Sequence, residues 1–229
     1  MNKSDAPRGG PQVIPRPVEW RNSVAVGWTP PEPFTTAHIA NALAHYTPGE
    51  ILRGPAVDRP KQPGRRSAVL VAVYDGADGP TTILTRRPPH MRKHAGEIAF
   101  PGGAHDDTDE SLWHTALREA EEEVALDPSL PRRLGDLDRF VTGASFSLVQ
   151  PIVAALDEKP SLTASPDEVD LILHVPLIEL MSTDVYRTEE WLFNDKWQAM
   201  HFFDLEGETI WGATALMIHN LLEAITRSV

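Results

Sequence analysis

Residues 100–123 read FPGGAHDDTDESLWHTALREAEEE. The two halves of this stretch differ in kind. Phe100-Pro101-Gly102-Gly103 is a turn, since proline removes a backbone donor and glycine lets the chain bend and approach other groups closely. Over residues 110–125 the apolar positions Trp113, Leu117, Ala120 and Val124 recur at spacings of four, three and four, which predicts a helix with one face in a core. On that helix Glu119, Glu122 and Glu123 stand three and four positions apart, so they neighbour one another on the flank of the apolar stripe. Like charges crowded on one face repel unless a cation neutralises them. Hard divalent cations take carboxylate and carbonyl oxygens and bring substrate phosphates with them. The stretch therefore points to metal-dependent diphosphate chemistry. An acidic helix alone is usually a solvated surface, but the Gly-Gly turn and Arg118 beside the acids argue against that reading here.

Working outward, residues 68–74 (AVLVAVY) form a short apolar run rich in β-branched residues, as a buried strand does. Residues 75–80 turn, and 81–86 return as a second strand. Further strands are expected at 139–142, 148–155 and 169–175, with weaker signals at 197–203 and 208–211. A last helix is expected over 213–226, burying Leu216, Met217, Leu221 and Ile225. Strands interleaved with helices predict an α/β fold, a mixed sheet flanked by helices. Eleven of the 21 prolines fall before residue 64. Residues 1–64 thus read as a proline-rich N-terminal arm carrying one short helix, which is capped at Thr35 or Thr36 and turns Ile39, Ala42, Leu43 and Tyr46 inward. Within it, residues 1–33 read as an extended arm or a disordered tail. The catalytic domain is expected over 65–229.

Composition narrows the classes. A chain of 229 residues is long enough for a sizeable core, and 41% hydrophobic with 24% charged residues is ordinary for a globular protein. The absence of cysteine excludes disulfides, thiolate metal sites and cysteine nucleophiles. The longest apolar run is too short to span a bilayer, and no export signal is visible, so no membrane association and a cytoplasmic location are expected. A net charge of −12 argues against general nucleic-acid binding, which needs a basic footprint. The charge is uneven. Residues 106–127 hold nine acids and one base, Arg118, whereas residues 86–94 hold four bases and no acid. That pairing suits a polyanion held by metal at one end and by arginine at the other.

Residues 103–126 resemble the Nudix box: a glycine turn, an acid, then Arg-Glu-x-x-Glu-Glu, matched by Arg118, Glu119, Glu122 and Glu123, with Leu126 closing. The box acid falls either at Asp109, with one residue inserted before the arginine, or at Glu110, with Ala104 in place of the glycine. Ala125 stands where the box closes on glycine. A second motif, Ile83-Leu84-Thr85-Arg86-Arg87, then Arg92, Gly96 and Phe100-Pro101-Gly102-Gly103, resembles the signature of the coenzyme A pyrophosphatase subgroup of Nudix hydrolases. Pro88 and Ile83 depart from its usual residues. Residues 210–215 resemble that subgroup's C-terminal segment.

This resemblance implies the Nudix fold, a mixed β-sheet sandwiched between α-helices, and hydrolysis of coenzyme A or its derivatives to 4′-phosphopantetheine species and adenosine 3′,5′-bisphosphate with Mg²⁺ or Mn²⁺. Glu119 and Glu123 are the first metal ligands expected, Glu122 a ligand to a second ion, and the Gly102 or Gly103 carbonyl completes the sphere. Arg118 orients the carboxylates. Glu168 is preferred as general base over Asp170, and Glu119 is a third candidate. Arg87 and Arg92 are the substrate's phosphate readers, unless they pair with acids of the fold. His90, His94 and the tryptophans are expected to be structural. A homodimer exchanging its arms is one assembly the resemblance allows. Two other readings stay open: a hydrolase of ADP-ribose, dinucleotides or nucleoside triphosphates, and a nucleotide-binding regulatory module, which would tend to lose the box acids retained here. No Gly-x-Ser-x-Gly elbow accompanies Ser145 or Ser147, so a serine hydrolase is set aside.

Overall fold

The computed structural model describes residues 8–49, 51–53, 64–91, 94–142 and 146–227. Its elements in chain order begin with β1 (Trp20–Ser23), α1 (Thr36–His45), β2 (Leu52–Arg53), β3 (Arg66–Gly76), β4 (Gly79–Arg86), β5 (Ile98–Ala99) and β6 (Gly102–Ala104). Then come α2 (Leu112–Val124), β7 (Arg132–Asp136), β8 (Phe140–Val141), β9 (Leu148–Ala155), β10 (Leu171–Pro176) and α3 (Leu177–Leu180). β11 (Tyr186–Phe193), β12 (Lys196–Leu205), β13 (Glu208–Ile210) and α4 (Gly212–Thr226) complete the chain.

β3 organises the molecule. It runs parallel to β9 from Arg66↔Leu148 to Val73↔Ala155. On its other edge it pairs antiparallel first with β6, at residues 67–69, and then with β4, at residues 73–76. The larger sheet follows the order β10-β4-β3-β9-β8-β2, with β5 on β4 and β7 on β9, so it is mixed. Successive side chains on a strand point to opposite faces. Ala68, Leu70, Ala72 and Tyr74 accordingly pack with Ala116, Ala120 and Val124 of α2. Val69, Val71 and Val73 pack on the other side, with Ile39, Ala42 and Leu43 of α1 and with Ile218, Leu221 and Leu222 of α4. Two covered faces explain why residues 68–74 read as a continuous apolar run. The sheet is sandwiched between helices, as the sequence implies.

Several elements depart from the sequence expectations. On α2 the buried stripe runs through Thr115, Ala116, Leu117, Ala120, Glu123 and Val124, so Glu123 lies inside the stripe and not on its flank, and Trp113 is only half-buried. Leu216 is likewise only partly buried. β5, β6, β7 and β11 had no clear sequence signal. β5 and β6 are two and three residues long, too short for a period to show. β11 hides because its most buried position, between buried Tyr186 and Trp191, is Glu189, whose carboxylate takes hydrogen bonds from Arg16, Arg187 and Trp191.

The arm is extended and joins a second, four-stranded sheet of order β1-β11-β12-β13. β1 pairs antiparallel with β11, Trp20 opposite Trp191. Arg16 holds Glu189 through Nε (2.9 Å) and Nη2 (2.6 Å), and the Trp28 indole donates to Glu223 Oε1 on α4 (2.8 Å). The α1 helix is capped at Thr35, which accepts from His38 N. Among the described residues, no helix is long and apolar enough to cross a membrane.

Candidate active site

The site is built where α2 passes over β6. Pairing of β6 with β3 sets Gly102 opposite Val69 and Gly103 opposite Ala68. A Cβ added at Gly103 would fall within the Glu119 carboxylate, and one at Gly102 would strike the Ala68 carbonyl and Val69. Gly102 needs glycine because backbone approaches it, while at Gly103 a side chain would displace the Glu119 carboxylate. A bare main chain under a carboxylate is the arrangement a shared cation requires.

Arg118 is the hub of the acidic face. Its Nε and Nη2 donate to the two oxygens of Asp109 (3.0 and 3.1 Å), Nη1 donates to Glu122 Oε2 (3.0 Å), and Nη2 also donates to the Ala104 carbonyl (3.1 Å). Glu119 Oε1 lies 3.0 Å from the same Nη2. Asp109 is buried, with its side chain 4% exposed, and it also accepts from Thr115 Oγ1 and from the Asp106 amide. These bonds, the Arg118 guanidinium first among them, hold its carboxyl far below the usual range. Glu110, by contrast, is 84% exposed. The structure thereby decides between the two positions that counting left open: Asp109 is the acid that orients the arginine. Arg118 thus spends most of its donors on Asp109, Glu122 and the Ala104 carbonyl, with Glu119 beside it.

The three box glutamates do not share one environment. Glu123 is 4% exposed, and burial raises its carboxyl to about 8, with the charges of Glu119 and Glu168 pushing the same way and those of Arg87 and the Gly102 amide opposing. Glu119 is half-buried and also raised, mainly by burial. Glu122 is 54% exposed and paired to Arg118. Glu168 is exposed, on a turn that packs against the end of α2: the Thr163 and Ser165 amides donate to the Val124 and Glu123 carbonyls (2.9 and 2.8 Å). Capping those orphan carbonyls brings the turn to the helix. Its charge is felt at both Glu119 and Glu123. Asp170 is engaged elsewhere, accepting from Arg86 Nε and Nη2 (2.9 and 2.6 Å).

Arg87 follows β4 and points the other way from Arg86. Its Nη2 touches only the Met91 sulfur (3.2 Å), and its buried Nε has no hydrogen-bond partner among the described residues. A buried N–H without an oxygen partner is rare and costly. Its charge lowers the carboxyl of Glu123, which places it at the same centre. Arg92 lies outside the described residues. A cleft of about 380 Å³ opens on the Arg118 side of the acids, lined by Arg65, Ala104, Asp106, Thr108, Arg118, Glu119 and Glu122 but not by Arg87 or Glu123.

The donor set suits a hard divalent cation. It offers carboxylates and main-chain carbonyls, and the Glu119 and Glu123 carboxyls are raised by burial first and by like charges second, both of which a cation would relieve. Among the described residues no three acidic or histidine side chains stand close enough to close around an ion as placed. Glu119 is turned onto Arg118 instead.

Comparison with known proteins agrees with this geometry. The NUDIX domain family matches residues 64–203. The uncharacterized Nudix hydrolase NudL of Photorhabdus laumondii is 38% identical over 161 residues, covering 70% of this chain and 85% of that protein. NudL of Yersinia pestis is 37% identical over 162 residues, covering 71% and 80%. Among solved structures, the Caenorhabditis elegans Ap4A hydrolase shares 20% identity over 51% of this chain and 83% of that one, with a TM-score of 0.42.

Proposed function

The chain belongs to the Nudix hydrolase family, and from that premise we propose that it hydrolyses the diphosphate bond of coenzyme A or its derivatives with Mg²⁺ or Mn²⁺. The products are 4′-phosphopantetheine species and adenosine 3′,5′-bisphosphate. The observation that carries this reading is Arg87, half-buried and with its buried Nε unpaired among the described residues, beside half-buried Glu119 and buried Glu123. A guanidinium next to acids that a cation would relieve supports a phosphate held beside a metal. The motif at residues 83–103 supports the coenzyme A subgroup.

Glu119 and Glu123 hold the metal from α2, with a main-chain carbonyl at Gly102 or Gly103 and with Glu122 toward a second ion. A divalent cation there supplies charge neutralisation on phosphoryl oxygens and acidifies water. Arg118 keeps Glu119 and Glu122 oriented through its ion pairs with both. Glu168 accepts the proton of the attacking water at a carboxylate oxygen, a role Asp170 cannot share while it holds Arg86. Arg87 binds phosphate through its fork of donors, and Arg92 is assigned the same task.

A turnover screen tests the reading. With Mg²⁺ and then Mn²⁺, coenzyme A, dephospho-coenzyme A, ADP-ribose, NADH and a nucleoside triphosphate are compared, products being resolved by chromatography. Coenzyme A is expected to be cleaved fastest. Glu119→Gln should lower kcat by about a hundredfold or more, the scale on which disturbed metal sites lose activity. Arg87→Ala should raise KM for coenzyme A more than for dephospho-coenzyme A. Fast turnover of ADP-ribose or the triphosphate alone would keep the metal helix and discard the coenzyme A assignment. No turnover of any compound would favour a nucleotide-binding regulatory module.

A further inference from the structure

Gln12 lies in the proline-rich arm, far from every motif, yet its side-chain amide makes three hydrogen bonds. Nε2 donates to the Gly96 carbonyl (3.0 Å) and to Glu208 Oε2 (2.5 Å), while Oε1 accepts from the Thr209 amide (2.8 Å). A carboxamide has two donors and one acceptor group in one plane, and here each is engaged. The backbone around it is seated too. The Gly9 amide donates to the Leu205 carbonyl (2.7 Å) and the Gly10 amide to Thr209 Oγ1 (3.1 Å), and a Cβ at Gly10 would collide with the Gly207 carbonyl.

What Gln12 grips is the base of the segment that carries Arg87. The Gly96 amide donates to the Arg87 carbonyl (3.1 Å), and the Arg87 amide donates to the Glu97 carbonyl (3.0 Å). Gly96 itself has φ +70°, a conformation that side-chain-bearing residues rarely adopt. From the other side, Glu208, the second acceptor of Gln12, pairs with Arg86, which is also held by Asp170. Arg86 and Arg87 are adjacent, so clamping Arg86 behind the sheet fixes the direction in which Arg87 leaves it.

We infer that Gln12 is a positioning residue for substrate recognition: through Gly96 and through Glu208–Arg86 it sets Arg87 for phosphate, making the arm part of the recognition apparatus. This rests on the diphosphatase reading for its functional consequence, though not for its geometry. The plainer alternative is that Gln12 only tacks the arm to the β12–β13 hairpin. The two differ at Gly96, which a mere tack has no reason to hold.

The test uses the full chain with Gln12→Ala and Gln12→Glu, the latter keeping size but replacing both donors with acceptors. For whichever compound of the screen wild type cleaves fastest, both variants should raise KM about tenfold with kcat within about twofold, the scale of one or two lost hydrogen bonds. Amide hydrogen exchange should quicken over residues 87–97 while α2 stays protected. A KM unchanged in both variants, with only a lower melting temperature, would overturn the inference. So would unchanged exchange at 87–97, a readout that decides the geometry even if no compound is cleaved. In the same assay Arg87→Ala separates the two claims: if it raises KM and the Gln12 variants do not, phosphate reading by Arg87 survives and the positioning role does not.

Discussion

His201 and His219 stack with ring centroids 3.9 Å apart, and the Tyr186 hydroxyl lies 2.8 Å from His201 Nδ1. Burial first, and then the neighbouring imidazole, pushes His201 down to about 3, and burial lowers His219 as well. In the unfolded chain both titrate near the ordinary imidazole value, about 6.5. The unfolded state therefore binds more protons than the folded one between about pH 6.5 and 3, so the pair's stability is complete above that window and is lost as pH falls through it. We expect the melting temperature to decline from pH 6.5 to 4, and His219→Phe, which keeps a ring in the stack, to decline less steeply. Equal slopes in the two proteins would refute this. None of this pair was legible in the sequence, because its members come from β12 and α4 and meet only in the fold. That Arg118 meets Glu122 could be read from the sequence, because residues four apart neighbour one another on a helix, whereas the burial of Glu123 could not. Nor could the choice of Asp109 over Glu110: it depends on which acid the loop buries.

Among the elements, β3 could be read from its apolar run because helices cover both its faces. β11 could not, since its most buried side chain is Glu189, neutralised by Arg16 across 173 residues. α2 ends at Ala125 with φ 54°, in the left-handed region where the box pattern has glycine. An alanine there costs about 1 kcal/mol relative to an unstrained conformation. Ala125→Gly should therefore stabilise the protein by about 0.5–1 kcal/mol, part of the relief being offset by a freer unfolded chain. Urea unfolding would show a raised midpoint at unchanged slope. A lowered midpoint would mean that the Ala125 methyl makes a contact outweighing the backbone strain. Helix α2 would keep its place, since the loop at residues 163–165 caps the adjoining carbonyls independently.

For the whole molecule, the arm adds a strand to one sheet and bonds to the loop beneath the other. A chain beginning at residue 25 would lose β1, Gln12 and Arg16 together. Glu189 would keep Arg187 and Trp191 but forfeit one guanidinium, and removing a partner from a buried charge costs about 3 kcal/mol or more. For a protein of this size that lowers the melting temperature by about 10 °C. The bared edge of β11 should also raise the tendency to associate, visible by size-exclusion chromatography. An unchanged melting temperature would show that the arm is an adornment. The role of this segment escaped the sequence because prolines and polar residues mark where chain leaves regular structure, and say nothing about what that chain will bind.

The separation of 196 residues between Gln12 and Glu208 also has a meaning in time. Residues 8–23 leave the ribosome long before residues 186–210 exist to receive them. A segment made before its partners is thus among the last to find its place, since closing so long a loop costs entropy that only the finished hairpin repays. The sheet around β3 and the acidic helix can gather first from residues 66–155, whose partners are nearer in sequence. A nascent chain would gather the acids of α2 before Gln12 could reach Gly96 and Glu208, so on the proposed reading selectivity would ripen last.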